Sequence, residues 1–220
     1  MDSSGNNRHI PSSQVTGSPT IKTTTLGNGA NKTFKVLSGG VTDGIKLGNA
    51  NLNSYSFFTI ARYSGSQQKR IFTGETGNHL IGWWSGKTGL AYHEGWITET
   101  SSNNNNNWFM ITDTWQTFRV NGVKKGNARN SALPQMTINW GNSQFSPETS
   151  DWEVAEVIMF DRTLSLAEVS LLEEYLGATY GISAYATGAT YESLAPKIEA
   201  GKLRVITTDG GRAGALNLNK

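Results

Sequence analysis

Hydrophobic positions in this chain fall in short runs, each closed by turn residues. Thr33 to Leu37 alternates apolar and polar and ends at Gly39-Gly40. Tyr55 to Tyr63 (YSFFTIARY) is rich in aromatic and branched residues and closes at Gly65. Arg70 to Thr73, His79 to Trp84, Leu90 to Ile97, Trp108 to Thr112 and Met136 to Trp140 follow, and Ser85-Gly86-Lys87-Thr88-Gly89 breaks the run between Trp84 and Leu90. This spacing predicts strands separated by turns. The clearest hairpin is Thr117 to Val120, Asn121-Gly122, then Val123-Lys124, because Asn-Gly tolerates positive φ at both turn positions of a type I′ turn. Trp152 to Phe160 (WEVAEVIMF) is apolar on both alternating faces apart from Glu153 and Glu156, which predicts a central strand buried on both sides.

One helix is predicted. Ser165 and Glu168 have the spacing of a capping box, in which each side chain accepts from a free backbone N–H. Leu166, Val169, Leu172 and Leu176 then form an apolar stripe at helical spacing, and Gly181 stands where the helix should stop. Beyond it, Tyr185 to Tyr191 is small and polar, Leu194 to Ala200 suits a short helical turn, and Lys202 to Thr207 (KLRVIT) reads as a strand ended by Asp209-Gly210-Gly211. Five consecutive Asn at 103–107 cannot bury apolar area, so Ser101 to Asn107 is expected to be a mobile loop. About ten strands at short spacing with one helix predict an all-β, two-sheet antiparallel sandwich.

Composition narrows the function classes. Of 220 residues only 16% are charged and 36% hydrophobic, with 25 Gly filling part of the gap. That mixture suits strands and turns and disfavours coiled coils and helical bundles. A net charge of +2 without a basic run argues against nucleic-acid binding. The absence of Cys excludes a disulfide framework, a thiol nucleophile and cysteine-ligated zinc. No apolar run has membrane-spanning length, so membrane insertion is not expected, and the polar start Met1-Asp2-Ser3-Ser4-Gly5-Asn6 does not read as a signal peptide.

The stretch Asp151 to Ser165, followed by Ala167-Glu168, Tyr175-Leu176 and Tyr180-Gly181-Ile182, resembles the closing strand and helix of concanavalin A-like lectin/glucanase domains. More narrowly, it is similar to laminin-G-like domains of bacterial surface proteins and of virus and phage particles. Earlier blocks agree in order. Asp2 to Asn6 resembles the opening turn. Arg70 to Gly74, Gly82 to Lys87 and Ala91 to Trp96 resemble the middle strands, and Phe118-Arg119-Val120-Asn121-Gly122 resembles the strand with its Asn-Gly turn. The resemblance spans about residues 2–182 and implies a jelly-roll sandwich domain over 1–182. That leaves 183–220 as an extension, expected either to complete a sheet edge or to make assembly contacts. Such families bind sugars, hydrolyse them or serve as scaffolds, so the fold leaves function open. The expected function is a non-catalytic recognition or attachment module, and the resemblance implies its setting, a virion surface or the outside of a cell. Its partner is a glycan or cell-surface polysaccharide. The alternative is a structural module packing against copies of itself or other particle proteins.

Glycoside hydrolysis needs two carboxylates flanking one bond. Glu153 and Glu156 are the acidic pair within a strand, and plain alternation puts them on opposite faces unless a bulge intervenes. Glycoside hydrolysis is therefore a remote alternative. His9, His79 and His93 lie in no nucleophile elbow, and no two share metal-ligand spacing in one element, so no metal ligand is assigned and no cofactor is expected. The resemblance leaves calcium open at Asp43, Asp113 and Asp151, although no D-x-[DN]-x-[DN]-G loop is present.

The more informative feature is aromatic: seven Trp and seven Tyr in a polar chain. Sugar sites pair a flat apolar ring with a few placed polar groups. Trp83 and Trp84 are strand neighbours, so one faces the core. Matching Trp84 to the family's core position turns Trp83 outward, and alternation puts His93 on its side. The expected ligand-binding set is Trp83, His93 and Trp108, with Lys87 and Glu94 beside them.

Overall fold

A computed structural model describes residues 9–47, 52–98, 106–140 and 148–182, together with the backbone of 202–205 and 214–217. A 3-10 turn, Ser12–Gln14, precedes β1 (Val15–Thr16), β2 (Thr20–Thr23), β3 (Lys35–Gly39), β4 (Gly44–Leu47) and β5 (Ser56–Tyr63). Then come β6 (Phe72–Gly74), β7 (His79–Trp84), β8 (Lys87–His93), β9 (Phe109–Thr114), β10 (Thr117–Val120), β11 (Val123–Asn127), β12 (Met136–Ile138) and β13 (Trp152–Phe160). Helix α1 (Leu166–Tyr180) follows, and β14 (Lys202–Val205) pairs antiparallel with β15 (Gly214–Asn217). The predicted opening turn, most of the Asn run and the segments 185–191 and 194–200 lie outside the described residues.

Two antiparallel sheets form the sandwich, a six-stranded one in the order β1-β4-β12-β6-β7-β8 and a seven-stranded one in the order β11-β10-β9-β5-β13-β3-β2. The main core lies between them. Ile45, Phe72, Ile81, Trp83, Met136 and Ile138 enter it from the six-stranded sheet; Phe57, Ala61, Tyr63, Ile111, Phe118 and Trp152 enter from the other. The alternate residues of the seven-stranded sheet, Phe58, Ile60, Trp108 and Met110, meet Val169, Leu172, Leu176 and Tyr180 of α1 in a second cluster. The central strands β5, β9 and β13 of that sheet thus pack on both faces, which is why YSFFTIARY and WEVAEVIMF read as nearly continuous apolar runs.

Local signals act as predicted. Asn121 and Gly122 have φ of 48° and 81°, as a type I′ turn demands. Ser165 and Glu168 form the reciprocal capping box, and Gly181 ends α1 with φ 60°. The Arg162 guanidinium holds the Glu168 carboxyl well below the usual range, at about 2. Among the described residues, no helix is long and apolar enough to cross a membrane.

Three expectations need correction. Leu166, the first helical residue, is 67% exposed, and Glu173 stands on the buried face beside Leu172. The break after Trp84 is only Ser85-Gly86, with φ of 50° and 74°; β8 already begins at Lys87, and Gly89 (φ 78°) is an extra residue within it. Third, the register between β13 and β5 shifts between Val154 and Glu156. One extra residue in one strand reverses alternation beyond it, so Glu153 and Glu156 share the helix-side face.

Candidate functional site

The face of the six-stranded sheet turned away from the core carries an aromatic group. Ile81, Trp83 and Ala91 point into the core, so their strand neighbours Trp84 and Tyr92 point out. After β8 the chain reverses tightly. Glu94 adopts φ 51°, the His93 amide donates to the Gly95 carbonyl (2.9 Å), and the Ile97 amide donates to the Ala91 carbonyl (3.0 Å). This turn folds Trp96 back opposite Tyr92. The Trp96 ring stands 5.2 Å from Tyr92, edge to face, and 5.5 Å from Trp84, and it is 46% exposed.

Polar groups fix the rim of this group. The Trp84 indole N–H donates to Glu148 (3.4 Å), whose other oxygen pairs with Arg70. Arg70 is itself buried and also donates to Asn78 (2.8 Å). Lys87, the register partner of Trp84, is exposed; Glu94 is exposed and accepts from the Asn78 amide. A planar guanidinium locked between two partners holds Glu148 in place and, through it, Trp84. Farther along the same sheet, Lys46 lies 4.6 Å above the Trp140 ring and pairs with Glu75.

Of the expected ligand set, only Lys87 and Glu94 reach solvent. Trp83 is fully buried in the main core, 5.7 Å from Phe72. Trp83 and His93 do share a face, as alternation required, but that face is the interior. Trp108 is buried under α1, edge-on to Phe34 at 5.1 Å, with the Arg62 guanidinium 5.0 Å over its ring. The polar Asn run before it gave no hint of this burial. Trp84, Tyr92, Trp96, Arg70 and Glu148 were missed. The signal available for them was a second aromatic pair, Tyr92 and Trp96, four residues apart across Gly95.

His93 belongs to an interior cluster. It pairs in register with His79, and the two rings stack at 3.8 Å. Asp113, on β9 of the facing sheet, reaches between the sheets to meet them, and Tyr55 donates to it (3.2 Å). Burial, then the neighbouring His93, pushes His79 well below the ordinary imidazole range. Spacing within one strand could not reveal this convergence, because the three residues come from three strands. Asp43 and Asp151, the other calcium candidates, accept from backbone amides of Gly40 and Gln67 and act as turn anchors.

The two glutamates now on one face each have a structural partner. Glu153 pairs with Arg62 at 2.8 Å, and Glu156 accepts from the Tyr180 hydroxyl at 2.8 Å. Burial raises the Glu156 carboxyl, and the Tyr180 hydrogen bond pulls part of the way back. A carboxyl whose value is higher folded than unfolded costs stability once pH exceeds its unfolded value; below that value the cost is absent. Glu156→Gln, which still accepts from Tyr180, is therefore expected to be neutral or stabilising by up to about 1 kcal/mol at pH 7. Urea denaturation at pH 7 checks this, and a loss above that size would show that the ionised form stabilises the fold.

These features define a two-sheet antiparallel β-sandwich with one face clad by a helix and the other bearing exposed aromatics. No protein-family profile matches the chain, and no curated protein matches it. Among solved structures it is similar to the binding domain of Paraclostridial mosquitocidal protein 1, with 14% identity and a TM-score of 0.52 over 78% of this chain and 48% of that one. It is also similar to domain 4 of AbnA, an extracellular arabinanase of Geobacillus stearothermophilus in complex with arabinotriose (16% identity, TM-score 0.49, 71% and 82% covered). A third is the binding domain of botulinum neurotoxin serotype G (12%, 0.48, 80% and 48%). The chain spans about half the length of the two toxin binding domains. At these identities the likeness is one of fold.

Proposed function

We propose that this protein is a non-catalytic recognition module that binds glycans on the open face of its six-stranded sheet. The observation that carries this reading is the exposed Trp96 braced by Trp84 and Tyr92. A rigid ring lies against the apolar face of a pyranose, while Lys87, Glu94 and Glu148 around it offer donors and acceptors for hydroxyls. The fold supports the reading, since the mosquitocidal-protein structure it resembles is described as a binding domain. The setting we propose is extracellular or on an exposed particle surface; the virion form of it rests on the laminin-G-like resemblance. Glu153 and Glu156, each held by a structural partner, support a role without hydrolysis.

The test is an oligosaccharide array followed by titration of the best ligand. Trp96→Ala is expected to weaken binding at least about tenfold, equivalent to 1.4 kcal/mol, with an unchanged melting temperature. Equal binding by Trp96→Ala, or no glycan binding by the wild type, overturns the proposal. A wild type that self-associates in light scattering and ignores glycans would favour the packing role.

A further inference from the structure

We propose that the sandwich interior holds one divalent transition-metal ion of the zinc class, bound by His79, His93 and Asp113. The glycan proposal does not bear on this site, which lies on the opposite face of β7 and β8. His79 and His93 stand side by side across the β7–β8 ladder, and Asp113 faces them from β9. One ligand atom from each of the three lies within 4.8 Å of the others, and this is the one such group among the described residues.

Two further observations point to a ligand. First, the site contains polar atoms that no described residue satisfies. His79 Nε2, both ring nitrogens of His93 and Asp113 Oδ1 are buried without a hydrogen-bond partner among the described residues. The His93 Nε2 atom lies 3.0 Å from Asp113 Oδ2, and His79 Nε2 lies 4.0 Å from it, neither aligned as a hydrogen bond. All three residues are at most 3% exposed. Buried polar groups are almost always paired, so a cluster of orphans at one point calls for an unseen partner. Second, the spacing suits a metal. Ligands about 2.0–2.1 Å from a four-coordinate zinc are about 3.3 Å apart, a value that the two observed separations bracket.

The donor types select the ion. Two imidazoles and one carboxylate match zinc-class ions, whereas calcium and magnesium prefer all-oxygen shells. Binding requires the stacked rings, now 13° from parallel, to tilt until their lone pairs converge. The Tyr55 hydroxyl supplies the outer hydrogen bond that orients the carboxylate. The ion would clip one sheet to the other beneath the strands that carry Trp84 and Tyr92.

The experiment uses the full chain, unfolded in denaturant with chelator and refolded without metal, with Zn²⁺ or with Co²⁺, then dialysed exhaustively. One retained equivalent by elemental analysis is expected, with a melting temperature several degrees above the metal-free protein. The Co²⁺ form should show visible bands of a low-symmetry nitrogen and oxygen site. Asp113→Asn and the double variant His79→Gln/His93→Gln should retain none, while His9→Gln retains the full equivalent. No retained metal in the wild type, or equal retention by the interior variants, overturns the proposal. If the interior variants do not fold, the wild-type Co²⁺ spectrum decides, and a colourless protein counts against the site.

Discussion

Trp83→Ala is expected to cost about 3–5 kcal/mol of folding stability, as large-to-small changes of core aromatics do. Trp84→Ala, one residue along, should stay within about 1 kcal/mol of wild type. The contrast follows from the two sides of β7. Trp83 is fully buried against Phe72 and the other core aromatics, so truncation leaves a cavity that the two sheets cannot close. Trp84 is partly exposed, and its neighbour Trp96 faces water. A domain of this kind has about 5–15 kcal/mol in total, so the first change removes a large share and the second little. Urea denaturation followed by far-UV circular dichroism separates them. A midpoint for Trp84→Ala at or below that of Trp83→Ala would contradict this assignment of faces.

Glu173→Ala is expected to cost a similar amount, about 3–5 kcal/mol, because it breaks a buried pair and leaves one charge behind. Glu173 is 1% exposed on the inner face of α1. Arg119 donates to it from Nε and Nη2, both at 2.9 Å, and Thr112 donates at 2.8 Å. The arginine fork thus ties β10 to the helix, and the hydroxyl ties β9 to it. Removing the carboxylate strands the guanidinium, whose remaining acceptor among the described residues is the Gly122 carbonyl. The double change Arg119→Met/Glu173→Leu should recover much of the loss, since apolar replacements of similar volume often match a buried ion pair. A Glu173→Ala loss below about 1 kcal/mol, or no recovery in the double variant, would show that this pair is well solvated.

Glu173 also illustrates how far sequence periodicity reaches. The stripe Leu166, Val169, Leu172 and Leu176 located the helix and most of its buried face, but it included an exposed leucine and passed over a buried glutamate. Periodicity detects apolar residues; a charge that is buried because it is paired looks, in sequence, like a solvated one. The same limit hid Arg70 and Glu148, which hold the rim of the aromatic face.

Local chemistry was readable from the chain alone. The Asn121-Gly122 turn, the Ser165–Glu168 capping box, the Gly181 stop and the limits of β7 and β13 depend on neighbouring residues and their backbone preferences. Those preferences do not change when the rest of the molecule is added. Alternation likewise put Trp83 and Trp84 on opposite sides of one strand, and Tyr92 and His93 on opposite sides of the next.

Which side faces water was settled by tertiary structure. A period of two says which residues travel together, not where the second sheet will sit, and in β7 both sides are apolar enough to be buried. The bulge between Val154 and Glu156 and the extra residue Gly89 depend on partner strands, so they cannot be seen in either strand by itself. The turn that brings Trp96 over Tyr92, and the meeting of His79, His93 and Asp113 from three strands, required the strands to be paired and the sheets to be stacked.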